Sequence, residues 1–90
     1  MFHKVKSVTP RPGFSLLVDF EDGSRRAYDV RPLFARWRSF QALADTRGLF
    51  EQVHVDAGGY GISWNDDLDL ACDELYHNGS EIESDTIKPG

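Results

Sequence analysis

The chain has 90 residues, 40% of them hydrophobic and 28% charged, with a formal net charge of −5 and a single cysteine. A domain of that length buries only about 60% of its unfolded surface, so nearly every large apolar side chain is needed in one core. One cysteine excludes an internal disulfide framework, and no apolar run approaches the roughly 20 residues that cross a bilayer. The start, Met1-Phe2-His3-Lys4-Val5-Lys6, lacks the apolar stretch of a secretory signal, so a cytoplasmic protein with no membrane partner is expected.

The charge is unevenly spread. Residues 1–24 balance. Residues 25–47 hold six arginines against Asp29 and Asp45, a net of +4, and residues 48–90 hold ten acids against Lys88, a net of −9. In a domain this small the two segments are expected to meet and partly neutralise each other.

In chain order, residues 3–9 are expected to be extended, with Val5 and Val8 as core contacts, and Pro10-Arg11-Pro12-Gly13 to interrupt them. Phe14, Leu16, Val18 and Phe20 alternate strictly and give a strand one apolar face. Asp22-Gly23 signals a hairpin, either as a two-residue turn or as a three-residue Glu21-Asp22-Gly23 loop. The longer loop is preferred because it sets Tyr28 beside the apolar face, whereas a one-residue slip would reverse it. The return strand covers residues 24–29.

Asp29 then reads as the N-cap of a helix over 31–38, with Pro32 in its first turn and Leu33, Phe34 and Trp37 on one side. Ser39 is expected to cap a second helix over 40–44. Leu49-Phe50 leads to a strand over 52–56, with Val53 and Val55 inward and His54 outward. After the Ala57-Gly58-Gly59 turn, residues 60–64 form a strand in which Ile62 and Trp64 share a face. Trp64 is expected to be buried near Phe20, Phe50 or Leu75. Asp69 is placed as the cap of a last helix over 70–76, and Gly79 as its left-handed stop. Together these elements predict one α+β domain over 1–79, two-layered, with short helices packed on one face of a mostly antiparallel sheet of about five strands. Residues 80–90 are expected to form a flexible tail.

The run Leu16-x-Val18-x-Phe20-x-Asp22-Gly23, with Tyr28-Asp29-Val30 and Pro32-Leu33, resembles the bacterial family called domain of unknown function 2442. The likeness continues through Phe40-x-x-Leu43, Leu49-Phe50 with Val53 and Val55, and Ile62-x-Trp64, then Asp69-Leu70 and Leu75-Tyr76, so it covers about residues 3–77. It implies a small two-layer α+β fold and no established activity. It further implies proteins that look like companions of other small bacterial proteins, in the manner of toxin–antitoxin or regulatory pairs, some continuing into a helix-turn-helix domain. Asn65 and Cys72 stand here where that pattern often has proline, and at this length no helix-turn-helix of its own is expected.

No catalytic constellation emerges. On a helix Cys72 and His77, five positions apart, do not face each other, so Cys72 reads as a small core hydrophobe beneath the last helix. Asp66, Asp67 and Asp69 lack the glycine and the glutamate that a calcium loop needs and read as turn and capping residues. His3, His54 and His77 lack the paired spacing of zinc ligands. The Gly58-Gly59-Tyr60-Gly61 stretch joins two strands, whereas a phosphate-binding loop opens a helix. No metal and no cofactor are expected.

Trp37 between Arg36 and Arg38 is the feature of most functional interest, since tryptophan and arginine are enriched where partners bind. The competing assignment folds Trp37 back against the sheet, and the small size of the core weighs slightly toward it. The expectation is a non-enzymatic module that binds another small protein through Arg36, Trp37 and Arg38, with Arg25 and Arg26 as secondary contacts. Self-association stays open. A nucleic-acid-binding regulator using the arginine-rich segment 25–47 is the first alternative, disfavoured by the acidic balance of the whole. An enzyme with an unrecognised site is the second, and a pocket gathering histidine, cysteine or acidic groups is not expected.

Overall fold

The computed structural model describes residues 2–82. Its elements run β1 (Val5–Arg11), β2 (Ser15–Phe20), β3 (Arg25–Asp29), α1 (Arg31–Arg36), α2 (Ala42–Asp45), β4 (His54–Val55), β5 (Gly61–Asn65), β6 (Leu68–Ala71), α3 (Cys72–Asn78) and β7 (Ser80–Glu81). Short 3-10 turns cover Arg38–Gln41, Phe50–Gln52 and Ala57–Gly59. The α+β class is as expected, but the sheet is divided. Strands β1-β2-β3-β7 form one antiparallel sheet and β4-β5-β6 a second.

In the first sheet Leu16, Val18 and Phe20 all point into the core, and Tyr28 lies opposite Leu16. The Phe20 N–H donates to the Ser24 carbonyl at 2.9 Å and the Gly23 N–H to the Phe20 carbonyl at 3.0 Å, so the loop is the three-residue one. Since Phe20 turns its backbone groups toward β3, the odd-numbered residues of β2 turn theirs toward β1. Pro10 therefore pairs with Leu16 at a position that needs no N–H, and β1, an edge strand, continues to Arg11 instead of breaking at the proline. A register shift at Lys6 brings Val5 and Val8 to the same side although they are three apart.

Several boundaries differ from those expected. The N-cap of α1 is Val30; Asp29, one residue earlier, still accepts the Arg31 N–H at 3.0 Å. Helix α1 ends at Arg36 because Trp37 is extended (φ −129°, ψ 113°). Ser39 lies inside a 3-10 turn and caps nothing, and the second helix is divided between that turn and α2. The expected strand over 52–56 shrinks to His54–Val55, because Phe50–Gln52 winds into a turn that buries Phe50.

The largest correction concerns Asp69. The Asn65 side-chain carbonyl accepts the N–H groups of Asp67 (2.8 Å) and Leu68 (3.0 Å), which turns the chain back along β5. Residues 68–71 are thus a strand, and the last helix starts two residues later than expected, at Cys72. Gly79 is extended (φ −84°), not left-handed; a Cβ there would lie 2.6 Å from the Leu75 carbonyl oxygen, so it is space that the site requires. Ser80 and Glu81 then pair with β3, so the start of the expected flexible tail is part of the sheet. The remainder of the tail lies outside the described residues.

One core joins both sheets. Helix α3 packs on β3, β5 and β6 and buries Cys72 and Leu75, while Ile62 and Trp64 of β5 enter from the second sheet. Trp64 is 2% exposed, stacks on Phe50, meets Phe40 edge-on, and donates its indole N–H to the Phe50 carbonyl at 3.1 Å. No helix among the described residues is long and apolar enough to cross a membrane.

Candidate functional site

The early end of α1 decides where Trp37 goes. Its N–H still donates to the Leu33 carbonyl (2.8 Å), but the extended backbone swings the side chain outward and leaves it 52% exposed, with the Arg36 guanidinium 5.9 Å from its ring centre. It does not fold back against the sheet. Leu33, Arg36, Trp37 and Phe40 form one wall of an open depression of about 270 Å³, and Asp69, Leu70, Ala71 and Glu74 form the other. A second depression of about 200 Å³, reaching Tyr28, Pro32 and Asn78, shares Leu33, Arg36 and Glu74 with the first, so the two adjoin. Depressions of 290–320 Å³ also lie on the open face of the four-stranded sheet and near the N-terminus. Volume does not single out the groove; its side chains do.

Glu74 is the fixed point of that groove. Tyr28 donates its hydroxyl to one carboxylate oxygen (2.7 Å) and Asn78 donates its amide to the other (3.0 Å). Burial, and then the hydrogen bond and negative charge of Glu74, push the Tyr28 hydroxyl well above its ordinary pKa, with Arg36 acting weakly the other way. Two acidic residues, Asp69 and Glu74, do line one depression, contrary to expectation; no histidine or cysteine joins them. Tyr28 and Glu74 were not singled out as site residues from the sequence, and Asp69 was read there only as a turn and capping residue. The Glu74–Asn78 spacing of four is a legible helix pair, but no local signal links Tyr28 to Glu74, 46 positions away.

The five arginine and tryptophan positions singled out from the sequence separate. Arg36 and Trp37 share the groove, and Arg38 is exposed beside it in the 3-10 turn. Arg25 lies on the open face of the sheet, bound to Asp19 at 2.6 Å. Arg26 points the other way, with its guanidinium 4.0 Å from the Tyr76 ring centre, and the His3 ring is stacked on Tyr76 at 3.5 Å. Two groups this close to one ring must occupy opposite faces, so Arg26 belongs to a packed layer apart from the groove.

The ion pairs among the described residues join Arg25 to Asp19 and Arg31 to Asp29, and the His3 ring lies 3.9 Å from the Asp22 carboxylate, all within the first part of the chain. The basic and acidic segments meet at the groove, where Arg36, Asp69 and Glu74 line the same depression without an ion pair among them. Cys72 is buried, and burial, helped by the Asp73 carboxylate 3.8 Å from its sulfur, raises its thiol pKa. Among the described residues no three or more histidine, cysteine or acidic side chains cluster as metal ligands do.

A family model described as "Protein of unknown function (DUF2442)" matches residues 5–81. The chain belongs to that family. No curated protein and no solved structure matches it. The matched range takes in every strand and helix of the described residues, so both walls of the groove lie within the family domain.

Proposed function

We propose that this family member is a non-catalytic module that binds a segment of another protein in the groove between α1 and β6. The observation that carries this is Trp37, a large aromatic half exposed at the rim, next to Arg36 and opposite the fixed carboxylate of Glu74. Tryptophan and arginine are enriched where binding energy concentrates, and an exposed tryptophan supplies contact area at little cost in side-chain entropy. The partner is another small protein, to which this chain is an antitoxin-like or regulatory companion, in the bacterial cytoplasm that its lone thiol suits. Supporting this over nucleic-acid binding, Arg25 and Arg31 are engaged by carboxylates and Arg26 by Tyr76, so three of the six arginines of segment 25–47 are already taken up within the chain.

The test is co-purification of the full chain with the products of neighbouring genes, repeated with Trp37→Ala. The expected result is a partner held at micromolar concentration and lost or weakened in the variant. No partner from any neighbour would overturn the proposal, as would retention at low salt of single- or double-stranded oligonucleotides in place of protein.

A further inference from the structure

We propose that the free edge of β6 takes up an extended segment of the partner as an added strand, with a basic side chain of that segment held between Asp69 and Glu74. The proposal rests on the groove binding a protein segment and adds how the segment is held and what it carries.

The backbone of β6 supplies the template. Among the described residues it pairs only with β5 and forms one edge of the three-stranded sheet. The Cys72 N–H donates to the Tyr60 carbonyl at 2.9 Å, and the Leu70 carbonyl lies against Gly61, so residues 70 and 72 turn their backbone groups toward β5. From the far side of β5, the Asp56 N–H donates to the Gly61 carbonyl at 2.9 Å, which fixes the same alternation. Asp69 and Ala71 must then face outward. Ala71, as N-cap of α3, uses its carbonyl in the first turn of the helix. What remains is a row of N–H and C=O of Asp69 and N–H of Ala71, on residues exposed to solvent and without a backbone partner among the described residues. That row opens into the groove beneath Trp37, where an added strand would lie about 4.8 Å away.

Charge selects the occupant. Asp66, Asp67, Asp69, Asp73 and Glu74 fall within nine positions, with no lysine or arginine between residues 48 and 87, and none of the five is in an ion pair among the described residues. A second copy of this chain would bring the same acidic cluster up against its own, and an acidic segment would fare no better, so a basic segment is the complementary one. The exposed Trp37 ring offers a further face to a cation. The other edges are less available: β1 carries Pro10, and β4 and β7 are two residues each.

The test uses a capped pentapeptide alternating valine and lysine, its glutamate counterpart, and the lysine peptide with N-methylated backbone amides, each titrated into the full chain by NMR. Ala71→Pro removes one edge donor with little strain, since Ala71 already has φ −72° and its N–H points outward. We expect the lysine peptide to move the Asp69 and Ala71 amide and Trp37 indole resonances, and to bind roughly five- to tenfold more weakly to Ala71→Pro with the fold unchanged. The N-methylated and glutamate peptides should bind at least as poorly. Equal binding of the lysine peptide to folded Ala71→Pro, or equal binding of the glutamate peptide, overturns the proposal. If Trp37→Ala alone abolishes binding while Ala71→Pro does not, the groove survives as a binding site and strand addition falls. Self-association that Ala71→Pro dissolves would replace the basic segment by a second copy.

Discussion

Trp37 and Trp64 show how one residue type is put to two uses. Trp64 sits between Phe40 and Phe50 with its indole N–H bonded, so its removal leaves a cavity and strands the Phe50 carbonyl. Trp64→Ala should cost about 3–5 kcal/mol, and Trp37→Ala about 1 kcal/mol or less, as urea unfolding of the two variants would measure. Equal losses would place Trp37 in the core. Tyr28 gives a pH prediction. Its hydroxyl is held neutral by burial and by Glu74, so its folded-state pKa lies above its unfolded one. The unfolded chain releases that proton first. The Tyr28 contribution is therefore complete below about pH 10 and is lost as pH rises from there toward the folded value. Wild-type stability should fall through that window more steeply than that of Tyr28→Phe. Parallel curves would mean that neither burial nor Glu74 raises the hydroxyl's pKa in the folded chain.

At the scale of elements, the turns fix the register of the strands they join. Gly23 takes φ +93° in the three-residue loop, and a Cβ there would meet nothing within 4 Å, so Gly23→Ala should cost only backbone strain, about 1–2 kcal/mol. Gly59 has φ +81° as well, but a Cβ would lie 2.8 Å from the Val5 carbonyl oxygen, where β1 meets the turn ahead of β5. Gly59→Ala should therefore be clearly the more damaging in thermal melts, because it forces the two sheets apart as well as straining the turn. The hairpin at Gly23 was legible in the sequence, since loop, alternation and Tyr28 all act within sixteen residues. The strand at 68–71 was not. Asp69 before Leu70 carries the signature of a helix cap, and only pairing with β5 makes the same residues extended; tertiary contact overrode local propensity there.

For the whole molecule, the closing strand matters most to the outline of the fold. Ser80 and Glu81 cover the edge of β3, and the Ile82 N–H donates to the Arg25 carbonyl at 2.9 Å. A chain ending at residue 79 should melt about 4–8 °C below one ending at residue 82, for a loss of about 1 kcal/mol. Equal melting temperatures would show that β7 adds nothing to the sheet. The charge division likewise resolves only at this scale. The arginine-rich and acidic segments face each other across an open groove and are not joined in ion pairs among the described residues, which leaves the acidic wall open to bind.

The sequence by itself determined the class of the fold, the first hairpin with its register, the inward face of β2, and the burial of Ile62 and Trp64. These follow from period-two alternation and turn chemistry, which act between neighbours along the chain. It also marked Arg36 and Trp37 by residue type. Only the tertiary structure decided that there are two sheets, that Trp37 faces solvent, and that Glu74 and Asp69 stand opposite it. Those outcomes depend on which distant segments share space. Helix α1 ends where the chain must turn toward the core at Phe40, and Glu74 is oriented by a tyrosine 46 positions away, a relation that no local pattern encodes.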